Sequence, residues 1–294
     1  VVNAFTPAEL ASFQAAFTNF EDLEVRNQLT NDIDVTDFGD INSLILGGGA
    51  TTVMVDGLTT GGTLCLEGTS TDITVNMTGA ATGPADELNF IMKSTGALAG
   101  GILEAAGVES VNITTTDLNT TPHDNTLTLE ATSATSITVA GNAGLNLTNT
   151  GNASVATFDA SGVTAGDVDF ISENITGDVS VTGGAGNDIL DASATIATKV
   201  ATVSGGAGDD AILGGAGADV LSGDAGDDFL DGNDGADTID GGAGDDDIEG
   251  GVGADVLTGG AGMDRFGYFD SLESNGTTVD TITDFVSGED KFFI

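Results

Sequence analysis

The sequence has very few basic residues. It contains 5 Lys and Arg against 47 Asp and Glu, a formal net charge of −42 over 294 residues. Nucleic acid and anionic membrane surfaces attract proteins of the opposite sign, so we expect neither as a partner. A divalent cation is the natural partner for this charge. The five basic residues are Arg26, Lys93, Lys199, Arg265 and Lys291.

Residues that commonly carry out catalysis are also scarce. There is one Cys, one His and one Tyr, and Trp is missing. Cys65 has no internal disulfide partner, and its alternating surroundings predict a small core residue. His123 lies in a predicted turn, and neither HExxH nor GxSxG occurs. Carboxylate pairs alone could hydrolyse glycosides, but a sugar cleft normally offers aromatic platforms. We therefore expect that the chain is not an enzyme.

Long apolar runs are missing too. No run approaches the roughly 18 residues that a membrane-spanning helix needs, so we expect no membrane insertion. The chain begins at Val1 without an evident signal peptide. That pattern favours export directed from the C-terminus, or a fragment of a longer protein.

What the sequence has in abundance is a nine-residue repeat. Seven uninterrupted copies run from Gly205 to Gly267, and an eighth copy stands apart at Gly183–Asp191. A fixed period of this kind is typical of a solenoid. Position 6 of the repeat is always Asp, and these residues are Asp188, Asp210, Asp219, Asp228, Asp237, Asp246, Asp255 and Asp264. Position 8 is always apolar, with Leu190, Ile212, Leu221, Leu230, Ile239, Ile248, Leu257 and Phe266.

Each repeat predicts a glycine-rich turn over its first six residues and a short strand over its last three. Side chains alternate along a strand, so position 8 should face a thin core and position 7 should face water. Two repeats should make one coil of eighteen residues. Loops that lie two repeats apart would then stack on the same edge of the solenoid and bring their position-6 carboxylates together.

Stacked carboxylates need a cation. Residues 200–264 contain sixteen Asp or Glu and no Lys or Arg. Two carboxylates about 4 Å apart repel by roughly 4 kcal/mol at an effective dielectric constant near 20. Oxygen ligands at six or more positions suit Ca²⁺ better than Mg²⁺. We expect about five or more calcium ions, and we expect the repeats to be disordered without them. A permanently disordered tail is disfavoured by the invariant apolar position.

The repeats resemble the GGxGxDxUx nonapeptide of the RTX (repeats-in-toxin) family, in which U is an apolar residue. The resemblance implies a parallel β-roll in which Asp carboxylates and turn carbonyls of stacked loops hold calcium. Carried over, the ligands are the eight position-6 aspartates and the turn residues Gly205, Ala207, Gly214, Ala216, Gly223, Ala225, Gly232, Asp234, Gly241 and Ala243. Two copies depart at position 2, with Asp224 and Asn233. Asp188 is the least secure ligand, because thirteen residues separate its repeat from the next.

The C-terminal segment Val279–Ile294 resembles the segment that closes the roll in RTX proteins, near the signal for type I secretion. Four apolar side chains of this segment would cap the last coil: Phe285, Phe292, Phe293 and Ile294.

The first 182 residues predict a less regular solenoid. A capping box at Thr6–Glu9 predicts an amphipathic helix over residues 7–19 that covers one end. Short alternating strands then recur every nine to twelve residues. We predict strands at Asn42–Leu46, Thr52–Val55, Thr63–Leu66, Ile73–Met77, Leu88–Met92, Val111–Thr114, Leu127–Glu130, Ile137–Ala140, Leu145–Thr148, Val155–Phe158, Val168–Ile171 and Val179–Val181. Leu98–Ala106 predicts a loop with a short helix.

The fold prediction is therefore all-β. A parallel β-solenoid with a short N-terminal helix occupies residues 1–182, a calcium-bound β-roll follows at 183–267, and a cap with the secretion signal completes the chain at 268–294. Acidic residues outside the repeats could bind further calcium, although solvated carboxylates are the default interpretation. They are Asp32, Asp34, Asp37, Asp40, Asp159, Asp167, Asp169 and Asp178.

The stretch Leu127–Phe170 and the shorter segment Gly107–Thr114 are similar to the Thr-, Ala- and Val-rich solenoids of bacterial surface-layer proteins that carry RTX repeats. We therefore expect an extracellular structural protein, a surface-layer or filament subunit that calcium folds and cross-links after type I secretion. Its partners would be calcium, further copies of itself and, as another candidate, a cell-surface polysaccharide. One alternative is an adhesin using Thr114–Thr116 and Thr120–Thr121, although irregular coils argue against regular Thr rows. Another is the C-terminal part of a secreted enzyme.

Overall fold

The computed structural model describes residues 22–26, 28, 30–35, 42–77, 86–119, 123–268 and 278–293. Four features predicted from the sequence lie outside these ranges. They are the helix over residues 7–19, the acidic pair Asp37 and Asp40, the threonines Thr120–Thr121, and Ile294.

The described chain forms two parallel sheets of thirteen strands each, and successive strands alternate between them. The first sheet contains β1 (Asp22–Val25), β3 (Ser43–Leu46), β5 (Gly62–Leu66), β7 (Glu87–Ser94), β9 (Ser110–Asp117), β11 (Ser136–Gly141), β13 (Thr157–Val163), β15 (Val179–Thr182), β17 (Ala201–Ala207), β19 (Val220–Ala225), β21 (Thr238–Ala243), β23 (Val256–Ala261) and β25 (Thr281–Ile282). The second sheet contains β2 (Ile33–Asp34), β4 (Val53–Leu58), β6 (Asp72–Met77), β8 (Ala99–Glu104), β10 (Asp124–Glu130), β12 (Gly144–Asn149), β14 (Val168–Ser172), β16 (Ile189–Asp191), β18 (Ala211–Leu213), β20 (Phe229–Asp231), β22 (Asp247–Glu249), β24 (Arg265–Gly267) and β26 (Lys291–Phe293).

The core lies between the two sheets, because every second side chain of each strand points inward. Identical positions stack along the solenoid. Leu44 pairs in register with Leu64, and Leu64 pairs with Phe90. The sheets meet through contacts such as the stacked rings of Phe158 and Phe170, whose centroids are 4.1 Å apart. The predicted parallel solenoid is thus confirmed for the described residues.

Coil length changes along the chain. In the repeats, Thr202 pairs with Val220 and Val220 pairs with Thr238, so a coil takes 18 residues. Upstream coils are longer and less regular: the spacing is 20 residues between Leu44 and Leu64, and 30 between Ile73 and Leu103. The predicted eighteen-residue coil is confirmed. Both sheets run through the repeats without interruption.

The strand predictions upstream of the repeats are confirmed, since each predicted strand overlaps an observed one. The prediction for Leu98–Ala106 is wrong, because this segment contains β8 instead of a loop with a helix. Two consecutive glycines, Gly100 and Gly101, break its alternation and produce a shift in its pairing with β10. The short strands β1 and β2 were not predicted.

The C-terminal segment extends both sheets. β25 pairs with β23, and β26 pairs with β24. Phe285 and Phe292 stack on each other with centroids 4.8 Å apart, and each ring lies close to Phe266. Phe292 remains 54% exposed. These rings therefore cover the last repeat only in part. In the portion of the chain that the structure describes, no helix is long and apolar enough to cross a bilayer.

Candidate calcium centre

All eight position-6 aspartates are buried, with at most 3% of each residue exposed. Asp is rarely so buried unless it is paired. The position-8 side chains are at most 1% exposed, which confirms their predicted place in the core. The glycine turn at the start of each repeat therefore directs the carboxylate inward, between adjacent coils, two residues before the apolar side chain enters the core.

The aspartates form two rows, one on each edge of the roll. On the first edge, Oδ1 of each Asp accepts a hydrogen bond from the backbone N–H of the Asp one coil earlier. These bonds are 2.7–3.1 Å long and join Asp188, Asp210, Asp228, Asp246, Asp264 and Asp290. On the second edge, equivalent bonds of 2.7–3.0 Å join Asp219, Asp237, Asp255 and Asp280. We call these the inner rows. Their geometry matches the predicted stacking of loops two repeats apart.

The second carboxylate oxygen is the one that a cation would use. Oδ2 has no hydrogen-bond partner in Asp210, Asp228, Asp237 and Asp246, although each of these oxygens is buried. Leaving a buried acceptor without a partner costs about 1–3 kcal/mol, and more for a charged group. Four such oxygens on two edges indicate that the roll is built around a positively charged group that supplies their missing interaction.

The position-1 glycines leave room for that group. A Cβ atom built on Gly232 would lie 2.5 Å from Oδ2 of Asp237 and 2.5 Å from the carbonyl oxygen of Gly250. The same convergence recurs at Gly205, Gly223 and Gly241, where a carboxylate oxygen and a glycine carbonyl from the next coil approach one point. Glycine therefore preserves the space in which these oxygen atoms converge.

Burial raises the pKa of these carboxyl groups in the metal-free protein. It raises the pKa of Asp188 to about 6, and those of Asp210, Asp237 and Asp246 to about 7, with backbone N–H donors opposing the shift. Negative neighbours raise the pKa of these groups further. The pKa values of Asp219, Asp228 and Asp264 are raised as well, again mainly by burial. Without a cation, the folded roll thus holds protons that a bound metal ion would displace.

The donor set fits Ca²⁺. Among the described residues, no group of three or more Asp, Glu, His or Cys side chains is placed to hold a metal ion. The atoms that converge beside the position-1 glycines are carboxylate and backbone carbonyl oxygens, and a shell made only of oxygen suits Ca²⁺. When bound, calcium would neutralise the inner rows and link adjacent coils.

The predicted carbonyl ligands fall into two groups. The position-1 carbonyls of Gly223, Gly232 and Gly241 lie beside the preceding glycine of their own edge. The position-3 carbonyls of Ala225 and Ala243 already accept N–H bonds of 2.8 and 2.9 Å from Gly208 and Gly226. The geometry therefore favours the position-1 carbonyls as calcium ligands. Gly205 and Gly214 occupy position 1 of their turns, and Ala207 and Ala216 occupy position 3.

The atypical repeats keep the same backbone path. Asp224 and Asn233 adopt left-handed φ angles of 71° and 66°, which Asp and Asn tolerate better than most residues. Asp234 is exposed, so its side chain lies on the surface of its turn.

Asp188 lies in line with the first inner row despite the thirteen inserted residues, because Oδ1 accepts the Val168 N–H at 2.7 Å while its own N–H donates to Asp210.

Sequence reasoning missed the two C-terminal aspartates, Asp280 and Asp290. Asp290 is 9% exposed, and Oδ2 accepts the Val286 N–H at 2.7 Å. Asp188 makes the equivalent bond to Gly184, at 2.5 Å. The sequence signal was the segment Gly288–Phe292, which repeats the Gly-x-Asp-x-apolar order of the nonapeptide.

Other acidic residues outside the repeats have local protein partners. Asp159 accepts from the Ser161 hydroxyl at 2.6 Å, Asp169 from Asn146 at 2.8 Å, and Asp178 from the Val200 N–H at 3.2 Å. Asp32 accepts from the Met54 N–H at 2.8 Å. Asp167 accepts from the Asn187 N–H at 2.8 Å and so lies directly beside the roll.

The comparison with known families agrees with this geometry. Residues 176–194, 202–230 and 231–266 match the model of the RTX calcium-binding nonapeptide repeat, in four copies. The first of these segments includes the isolated repeat at Gly183–Asp191. No curated protein matches the chain. The matched region is therefore an array of RTX calcium-binding repeats, a module typical of secreted, extracellular proteins.

Proposed function

We propose that this protein is a structural subunit of an extracellular assembly, which calcium folds after export. The observation that carries this proposal is the pair of inner rows, which run along one continuous two-sheet solenoid and include four buried carboxylate oxygens without a hydrogen-bond partner, in Asp210, Asp228, Asp237 and Asp246. Millimolar external calcium matches the roughly 10⁻⁴–10⁻³ M affinities of extracellular modules. Low cytosolic calcium would leave the repeats unfolded for passage through a type I secretion system. We propose a structural rather than a catalytic role for the chain.

One sheet face offers a surface for contact between copies. From β11 to β25, the first sheet turns two outward positions per strand to solvent, and twelve of these sixteen residues are Ser or Thr. We call this surface the hydroxyl face. It comprises Ser136, Thr138, Thr157, Asp159, Ser180, Thr182, Thr202, Ser204, Val220, Ser222, Thr238, Asp240, Val256, Thr258, Thr281 and Thr283.

The opposite face is much more charged. Over the equivalent sixteen positions of the second sheet, from β12 to β26, five residues are acidic and two are basic. They are Asp169, Asp191, Asp231, Asp247, Glu249, Arg265 and Lys291. Two copies that each carry a charge of −42 repel each other, so they approach with the lowest penalty through the surface with the fewest charges. The hydroxyl face has two Asp and no basic residue among its sixteen positions.

Electron microscopy and sedimentation in calcium and in EGTA test the proposal. We expect lattices or filaments in calcium that dissolve on chelation. The double variant Thr202→Asp/Thr238→Asp should abolish assembly while circular dichroism still shows calcium-dependent folding. The matched control, Ala211→Asp/Phe229→Asp, adds the same charge to the opposite face and should still assemble. Monomers of the natural protein at all calcium concentrations would contradict a structural role.

The hydroxyl face also favours a second candidate, a calcium-dependent adhesin. The sequence led us to expect no regular rows of Thr, yet the sheet aligns Thr and Ser across eight successive strands, which lie about 4.8 Å apart. The predicted Thr114–Thr116 site is less suitable, because Thr115 is buried and bonded to the Ala143 carbonyl. A monomer that binds cell-surface polysaccharide in calcium, and loses binding in Thr202→Asp/Thr238→Asp, would favour this candidate.

A further inference from the structure

The two edges of the calcium-binding roll differ at position 5 of the repeat. On the first edge, the residue before each inner-row aspartate is acidic or polar in four of five loops: Asn187, Asp209, Asp227 and Asp245, followed by Met263. On the second edge it is always alanine: Ala218, Ala236 and Ala254. All of these residues are exposed. The alternation of Asp and Ala at position 5 thus places the position-5 carboxylates on the first edge only.

These additional side chains form a second hydrogen-bonded ladder, which we call the outer row. Oδ1 of Asp209 accepts the N–H of Asp227 at 2.9 Å, and Oδ1 of Asp227 accepts the N–H of Asp245 at 2.8 Å. The outer row runs in the opposite sense to the inner row, because each carboxylate accepts from the following coil rather than the preceding one. Asn187 holds the same place, since its side-chain oxygen accepts the Asp209 N–H at 3.0 Å.

The outer carboxylates lie close enough to act on the inner row. Each outer aspartate directly precedes an inner aspartate in the same turn, as Asp209 precedes Asp210 and Asp227 precedes Asp228. On the second edge the corresponding neighbour is alanine, as Ala218 precedes Asp219. The inner carboxylates of the first edge include three whose Oδ2 atoms are buried without a partner: Asp210, Asp228 and Asp246.

We propose that the two edges bind Ca²⁺ with different affinities, the edge with the outer row filling first. This inference rests on calcium binding by the repeats, but it does not depend on assembly. The outer carboxylates add negative potential beside each inner site. This potential strengthens the binding of a divalent cation, and it destabilises the edge when no metal is bound. One additional charge at about 8 Å in a largely aqueous setting changes the affinity for a divalent ion roughly three- to tenfold.

A purely structural role for the outer row is the competing explanation, and Asn187 provides the means to separate the two. Its presence in the row shows that an Asn side chain accepts the ladder hydrogen bond. The triple variant Asp209→Asn/Asp227→Asn/Asp245→Asn therefore keeps the ladder and removes its charge. The reciprocal variant Ala218→Asp/Ala236→Asp/Ala254→Asp adds charge to the exposed position 5 of the second edge.

Calcium titration calorimetry of the full chain, at a concentration where light scattering detects no assembly, tests the proposal. The natural protein should show two classes of sites. The Asn triple variant should weaken the tighter class roughly three- to tenfold, and the Asp triple variant should tighten the weaker class. Both shifts should shrink as salt is raised.

The control variant is Asp191→Asn/Asp240→Asn/Asp247→Asn, which removes three charges from strands of the roll and should leave the two classes separate. Circular dichroism in saturating calcium verifies that each variant folds. A single class of sites in the natural protein, or unchanged affinities in a folded Asn triple variant, would overturn the proposal. Neither result depends on whether the chain assembles, so failure of this inference is distinguishable from failure of the proposed structural role.

Discussion

At the scale of single residues, position 1 of the repeat requires glycine because a larger side chain would fill the space where the oxygen atoms converge. A positive φ is not the reason. Gly232 lacks a positive φ, so its backbone would accept alanine. A Cβ there would nevertheless lie 2.5 Å from both Oδ2 of Asp237 and the Gly250 carbonyl. We expect Gly232→Ala to weaken calcium binding at this loop roughly 10- to 100-fold, measured by calorimetry. Gly177→Ala is the control, because a Cβ there meets no atom within 4 Å; equal effects of both variants would contradict the assignment.

The raised carboxyl pKa values predict an unusual response to pH. Burial raises the pKa values of Asp210, Asp237 and Asp246 to about 7, above the ordinary value of 3.8. Their contribution to the stability of the metal-free fold is complete below about pH 4 and is lost as pH rises through about 7. In EGTA, circular dichroism should therefore show more β-structure at pH 5 than at pH 8.

Calcium binding should have the opposite dependence on pH. Protons compete for the same oxygens, so affinity should fall between pH 8 and pH 5. Calorimetry at pH 7 in buffers of different ionisation enthalpy should detect proton release. Greater β-structure at pH 8 than at pH 5 in EGTA would show that these carboxyl groups are not buried in the metal-free state.

The sequence predicted the residues of the site better than their partners. Asp at position 6 and an apolar residue at position 8 recur in every repeat, so their places were predictable from periodicity alone. The alternation of Asp and Ala at position 5 was also visible, but it acquires meaning only when two repeats are known to make one coil. The involvement of the Ala225 and Ala243 carbonyls in hydrogen bonds between coils was not predictable, because it depends on how far each strand extends into its turn.

At the scale of elements, β8 shows why local sequence can mislead. The segment interrupts the regular strand pattern and was therefore predicted as a loop with a short helix, whereas pairing with β6 and β10 on its two sides makes it a strand. Gly101 has a φ of +71°, and a Cβ there would lie 2.6 Å from the Ser70 carbonyl. We expect Gly101→Ala to destabilise the protein by about 1–3 kcal/mol, measured by urea unfolding in calcium. Gly96→Ala, where a Cβ meets nothing within 4 Å, should change stability little, and similar values for both would contradict this explanation.

The edge strands β1 and β2 escaped prediction for a different reason. They are only 4 and 2 residues long, so the alternation of Leu23 and Val25 with acidic residues is too short to reveal a strand. Pairing with β3 and β4 defines them, and pairing between distant segments is not encoded in a short window of sequence.

At the scale of the whole molecule, the two parts of the solenoid depend on calcium to different degrees. Upstream coils bury large side chains such as Phe90, Phe158 and Phe170, whereas each repeat contributes one core residue at position 8. We expect hydrogen exchange in EGTA to be fast throughout residues 183–267 and slow in the strands from β5 to β14. Saturating calcium should protect both parts. Equal protection of the repeats in EGTA and in calcium would show that they fold without metal.

The eighteen-residue coil also limits how the number of repeats can change. One nine-residue repeat is half a coil, so losing a single repeat would transfer every later strand to the other sheet and every later loop to the other edge. Loops with Asp at position 5 would then stack on loops with Ala at position 5, and the rows of Ser and Thr on the hydroxyl face would end at the deletion. Losing two repeats would restore both. An array of this kind can grow or shrink without disruption only in pairs of repeats.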